Sequence, residues 1–121
     1  MRIMVVDNDA TYLGLLAEAL QLHGHEVVMA HDGEEAIAKL ATEPTDFILS
    51  DISMPRMNGM SLHRHVRQDP KLKHLPFAWN SGYRELRNAM DIEDPTIDFG
   101  FDKVIEVGDL LFFLDHFSGQ L

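Results

Sequence analysis

The chain has 121 residues, 45% hydrophobic and 25% charged, with no cysteine; it is too short for two domains, too apolar for a disordered tail, and has neither a disulfide framework nor a thiolate metal site. Ten basic against twenty acidic residues leave a net charge of −10, which repels a phosphate backbone and argues against nucleic acid as a partner, in favour of proteins and small cations. The amino terminus MRIMVVDND reaches its acids after four apolar residues, too few for a signal peptide or a membrane span, so a cytoplasmic chain without a membrane partner is expected.

IMVV at 3–6 reads as a first, buried strand. Residues 9–24 then run with helical period: Tyr12, Leu16, Ala19, Leu20 and His23 share one face, Asp9 is placed to cap the helix and Gly24 to stop it. EVVMA at 26–30 is a second strand, and DGEEAIAKLATEP at 32–44 a second helix with acids in its first turn, where the helix dipole favours them. DFILS at 46–50 is a third strand, and it runs directly into Asp51 and a loop punctuated by Pro55 and Gly59. MSLHRHVRQD at 60–69 is a third helix closed by Pro70, and PFAWNS at 76–81 a fourth strand. YRELRNAMDIED at 83–94 is a weakly amphipathic fourth helix ended by Pro95, IDFGFD at 97–102 a fifth strand, and GDLLFFLDHFSG at 108–119 a fifth helix.

Alternation of apolar strands with helices implies a parallel sheet covered on both faces, a single doubly wound α/β domain over residues 1–121. In such a sheet ligands bind beyond the carboxyl ends of the strands. The polar residues at those ends are Asp7, Asn8 and Asp9 after the first strand, Asp51 after the third, Ser81 at the end of the fourth and Lys103 after the fifth. Clustered oxygen ligands suit a hard cation such as Mg²⁺, while a hydroxyl and an ammonium suit a phosphoryl group. A carboxylate at a buried strand end can then act as a nucleophile toward phosphorus, once a cation and a lysine offset the developing charge.

The motifs VVDND, LSDISMPRMNG, WNSG and FDKVIEVGDLL stand in order, with Ser81 30 residues after Asp51 and Lys103 22 residues after Ser81. In all four the chain resembles, over its whole length, the receiver domains of two-component response regulators, of the kind typified by chemotaxis regulators. The resemblance implies a flavodoxin-like sheet of strand order 2-1-3-4-5 with five helices. It implies that Asp51 accepts a phosphoryl group from a histidine kinase or histidine phosphotransfer protein, with Mg²⁺ held by Asp7, Asn8, Asp51 and the carbonyl of Ser53. Ser81 and Lys103 would bind phosphoryl oxygens, and the chain would be a signalling domain, not a metabolic enzyme. A downstream protein, or a second copy of the chain, would dock on the fourth helix, fifth strand and fifth helix. On the fifth helix Leu110, Leu114 and Phe117 form the inward face, with Leu111 beside it, and Phe112 points about 160° away, a candidate contact within a polar rim.

Three positions depart from the family pattern. Asn8 replaces an acid, Val104 replaces the proline that follows the lysine in a cis bond, so a trans bond is expected, and Gly100 stands where a switch aromatic is common. A degenerate receiver, binding partners without phosphorylation, is the alternative reading. An aspartyl-phosphate phosphatase would need an acid where Ser53 stands, and a nucleotide carrier would need a phosphate loop where the acidic DND stands. Other residues read as structural: Asp9 as a cap, Gly59 as a turn with positive φ, Trp79 and the methionines as packing, and the seven histidines as scattered surface imidazoles. The chain would be either a stand-alone receiver or a fragment of a longer regulator.

Overall fold

Because side chains alternate across a strand, the apolar runs of the sequence feed two separate cores, one on each face of the sheet. The computed structural model describes residues 1–82, 95–102 and 107–119. In chain order the elements are β1 (Arg2–Val6), α1 (Ala10–Leu22), β2 (Glu26–Ala30), α2 (Gly33–Leu40), β3 (Phe47–Ser50), α3 (Gly59–Gln68), β4 (Phe77–Ser81), β5 (Asp98–Asp102) and α4 (Val107–Ser118). The strands form one sheet of order β2-β1-β3-β4-β5, with every neighbouring pair parallel. This is the flavodoxin-like order. The helix expected over 83–94 lies outside the described residues, so α4 is the one read from sequence as the fifth. Among the described residues, no helix is long and apolar enough to cross a membrane.

On one face Met4, Val6, Ile48, Phe77 and Trp79 pack with Ala36 and Leu40 of α2 and Leu62 and Val66 of α3. On the other, Ile3, Val5, Phe47, Leu49 and Ala78 pack with Leu13, Leu16 and Leu20 of α1 and Leu110, Leu111 and Leu114 of α4. Each fully buried Val, Leu, Ile, Phe or Met among them contributes about 1.5–3 kcal/mol relative to exposure. Phe99 and Phe101 of β5 and Phe113 and Phe117 of α4 extend the second core at the β5 side, with Phe47 and Phe117 edge-on at 5.3 Å.

Side-chain caps start three helices: Asp9 accepts from Tyr12 N at 3.1 Å, Asp32 from Glu35 N at 2.8 Å and Asn58 from Ser61 N at 2.9 Å. Gly24, at φ 86°, turns the chain after α1 in the left-handed conformation that glycine adopts without steric cost. The buried stripe of α1 is Leu13, Leu16, Ala17 and Leu20, not the face centred on Tyr12, Ala19 and His23. The i, i+3, i+4, i+7 set with the three leucines buries the most apolar surface, which leaves Tyr12 half-buried and His23 as the exposed C-cap. Nor are all the histidines surface residues: His63 and His25 are buried, each against a carboxylate.

Candidate functional site

The site is built by continuing the sheet one residue past its ladders. Asp7 N donates to Ala30 O at 3.0 Å and Asp51 N to Val6 O at 2.9 Å, so both acids extend their strands. Val6, Ser50 and Trp79 form the last row paired across β1, β3 and β4; Asp7, Asp51 and Asn80 are the next residues of the same three strands. Asp7 is 2% and Asp51 7% exposed. A backbone N–H fixes one oxygen of each carboxylate: Asp9 N donates to Asp7 Oδ1 at 2.9 Å and Ile52 N to Asp51 Oδ1 at 2.7 Å. Asn8 and Ser53, both exposed, line an open cavity of about 390 Å³ with Ile52, Met54, Pro55 and Asn58. Among the described residues, no three His, Asp or Glu side chains gather as a metal cluster. Two carboxylates flanked by neutral oxygens, beside a cavity with room for water, are the donor set that suits a hydrated Mg²⁺.

The loop after Asp51 is held from two sides. On the inside, Gly59 N donates to Ile52 O at 2.8 Å, and a Cβ on Gly59 would sit 2.1 Å from the Asp51 carbonyl oxygen. Glycine is therefore required there by close approach, and the turn with positive φ expected at Gly59 lies instead at Arg56, φ 65°. On the outside, Gly33 N donates to Met57 O at 3.1 Å, and Arg56 pairs with the buried Asp32 and approaches Glu34 at 3.8 Å. The Glu35 backbone N–H, with the Arg56 guanidinium beside it, holds the Asp32 carboxyl below its usual range. The loop is thus fastened to the start of α2 by an ion pair and a backbone hydrogen bond.

The remaining expected residues fall as follows. Ser81 is the last residue of β4. Lys103, and with it the trans bond expected before Val104, lies outside the described residues. Gly100 is exposed in β5 and pairs with Trp79, while the neighbouring Phe99 turns into the second core, 5.2 Å from Phe113. Two arrangements had no counterpart in the sequence reading. Asn80, 3% exposed, donates from Nδ2 to Tyr12 Oη at 2.5 Å; its signal was an amide inside the apolar run PFAWNS. His63 Nε2 lies 2.8 Å from Asp98 Oδ1, which also accepts from Arg67 Nη2 at 2.5 Å, tying α3 to the start of β5 beneath Trp79. Spacing along the helix placed His63 and His65 on different sides but could not say that one faces the core.

The response regulator receiver domain model matches residues 3–111. Among curated proteins, Protein PilH of Pseudomonas aeruginosa is 35% identical over 75 residues, 62% of this chain and 62% of its own. Response regulator MprA of Mycobacterium avium is 39% identical over 67 residues, 55% of this chain and 29% of its own, so the match spans under a third of that protein. Among solved structures, response regulator protein TrrA from Thermotoga maritima, in complex with Mg²⁺-BeF, superimposes with a TM-score of 0.81 at 29% identity, covering 95% of this chain and 96% of that one.

Proposed function

Because the chain belongs to the response regulator receiver domain family, we propose that it is a phosphoacceptor signalling domain of a two-component system in which Asp51 takes the phosphoryl group. The observation that carries this is a buried carboxylate at the end of β3, next to Asp7 in the sheet order. An oxygen of Asp51 attacks phosphorus of a phosphohistidine on a histidine kinase or phosphotransfer protein; the O–P bond forms, the N–P bond breaks, and the electron pair returns to the imidazole nitrogen, which takes up a proton. The Ile52 N–H on Oδ1 orients the carboxylate. Asp7, Asn8, Asp51 and the Ser53 carbonyl would hold Mg²⁺, which when bound offsets the charge gathering on the phosphoryl oxygens; the Mg²⁺-BeF carried by TrrA supports this. Ser81 and Lys103 would bind the phosphoryl oxygens. The switched surface would include α4, where Phe112 is 75% exposed and offers an aromatic anchor to a downstream protein or a second copy.

The test is intact mass after incubation with acetyl phosphate and Mg²⁺, for the wild type and Asp51→Asn. The expected outcome is one phosphoryl adduct that needs Mg²⁺ and vanishes in the variant. An adduct that persists in Asp51→Asn, or that forms equally in excess chelator, would overturn the assignment; no adduct on the wild type would favour the adaptor reading.

A further inference from the structure

Asn80 is buried on β4 one residue before Ser81, and its amide is only half satisfied. Nδ2 donates to Tyr12 Oη, whereas Oδ1 is buried with no hydrogen-bond partner among the described residues. Buried amides are as a rule paired on both atoms, and an apolar side chain would fill this strand position without an orphan acceptor. The side-chain bond of Asn80 reaches the first turn of α1, and from there the chain of contacts leads to the acidic loop: Tyr12 N is capped by Asp9, and Asp9 N donates to Asp7 Oδ1. Across β1, β3 and β4, Asn80 stands in the same row as Asp7 and Asp51, one residue past Val6, Ser50 and Trp79, while on its other side it still pairs with Phe101 of β5. The end of β4 is thereby linked to the loop that starts at Asp7, through one side-chain bond to Tyr12 and two backbone N–H to carboxylate bonds.

We propose that Asn80 is a positioning residue for the reaction at Asp51: through Tyr12 it fixes the end of β4, and with it Ser81, against the acidic loop. This rests on the phosphoacceptor reading. The two partners come from elements far apart in sequence, α1 and β4, so a displacement of one would be passed to the other through this side-chain bond. Neither Asn80 nor Tyr12 would touch the phosphoryl group; their effect is on the placement of the groups that do.

The experiment measures the rate at which acetyl phosphate labels Asp51 at several Mg²⁺ concentrations in the wild type, Tyr12→Phe, Asn80→Leu and the double variant, with thermal melts of each. Tyr12→Phe keeps the ring and removes only the oxygen that Asn80 meets. The expected result is labelling at least threefold slower in each single variant, an unchanged Mg²⁺ concentration at half-maximal rate, and a double variant no slower than the slower single. A shift of the Ser81 amide resonance in Tyr12→Phe is the accompanying signature that the loss at Tyr12 reaches the end of β4, and the slower labelling separates positioning from a loss of stability alone. Wild-type labelling rates in a folded Tyr12→Phe variant, or multiplicative effects in the double variant, would overturn the role of Asn80. If Asn80→Leu does not fold, Tyr12→Phe and its Ser81 resonance decide alone. A wild type that takes no label at all fails the phosphoacceptor reading itself, and is told apart by that control.

Discussion

Asn8 and Gly59 govern the site by opposite means, one through a charge it lacks and the other through an atom it lacks. Asn8 lines the cavity beside Asp51 and, in the proposed Mg²⁺ site, would offer a neutral oxygen where a carboxylate would add a full charge. Asn8→Asp should tighten Mg²⁺ binding and speed labelling of Asp51, and in metal-free protein should lower stability through repulsion with the buried Asp7. Calorimetric titration with Mg²⁺ checks this; an unchanged affinity would remove residue 8 from the ligand set. Gly59 is fixed by the 2.1 Å that a Cβ would leave to the Asp51 carbonyl oxygen. The obstacle is backbone, so Gly59→Ala should cost about 1–3 kcal/mol, the range for overpacking, and should also slow phosphorylation, because the displaced carbonyl belongs to Asp51, the proposed acceptor. Chemical denaturation paired with the labelling rate measures both effects.

The last helix is legible at the scale of the element because its sequence pattern and its packing agree. Leu110, Leu111 and Leu114 are buried, and Phe112 is 75% exposed, the side the helical wheel assigns to each. Phe112→Ser should therefore leave stability within about 0.5 kcal/mol of wild type while weakening self-association or capture of a target, as read by sedimentation and a binding assay. α1 was harder to orient, because LGLLAEAL is apolar nearly all round and Leu15 and Leu22 remain 64% and 80% exposed; when both sides of a helix carry leucine, periodicity fixes the element and leaves its rotation to tertiary contacts. The central strands β1 and β3 suffered no such ambiguity, since strands buried on both faces have no face to choose. The loop after Asp51 was legible in its composition but not in its conformation. Proline and glycine marked it as irregular, yet only the packed structure shows that Arg56 carries the positive φ and is met by Asp32 from a segment 24 residues away.

Across the whole molecule, polar contacts stitch together the elements that the two cores hold only by non-directional packing. Asp115 of α4 meets His25 Nε2 at 2.8 Å and His23 Nδ1 at 3.1 Å, joining the last helix to the turn between α1 and β2. Hydrogen bonds first from His25 and then from His23 hold the Asp115 carboxyl below its usual value of 3.8. A depressed folded-state pKa means stability that is present above 3.8, the value in the unfolded chain, and is lost as pH falls through the lower folded value. The difference in melting temperature between wild type and Asp115→Asn should thus narrow as pH falls below 3.8, as followed by circular dichroism. These ties explain what the sequence left unread: an acid and two histidines 90 and 92 residues apart give no local signal, whereas strand order and the carboxyl-end cluster follow from local alternation and a rule of topology. One tie also makes the molecule observable. Its single tryptophan, Trp79, has no exposed surface; the indole N–H donates to Gly59 O at 3.4 Å and the ring lies 4.5 Å from that of His63. Gly59 in turn abuts the Asp51 carbonyl, so a rearrangement of the acceptor loop reaches the chromophore through one glycine. The protein carries a built-in optical gauge: addition of beryllofluoride with Mg²⁺ should change its emission intensity with no dye attached, and the change should be absent in Asp51→Asn.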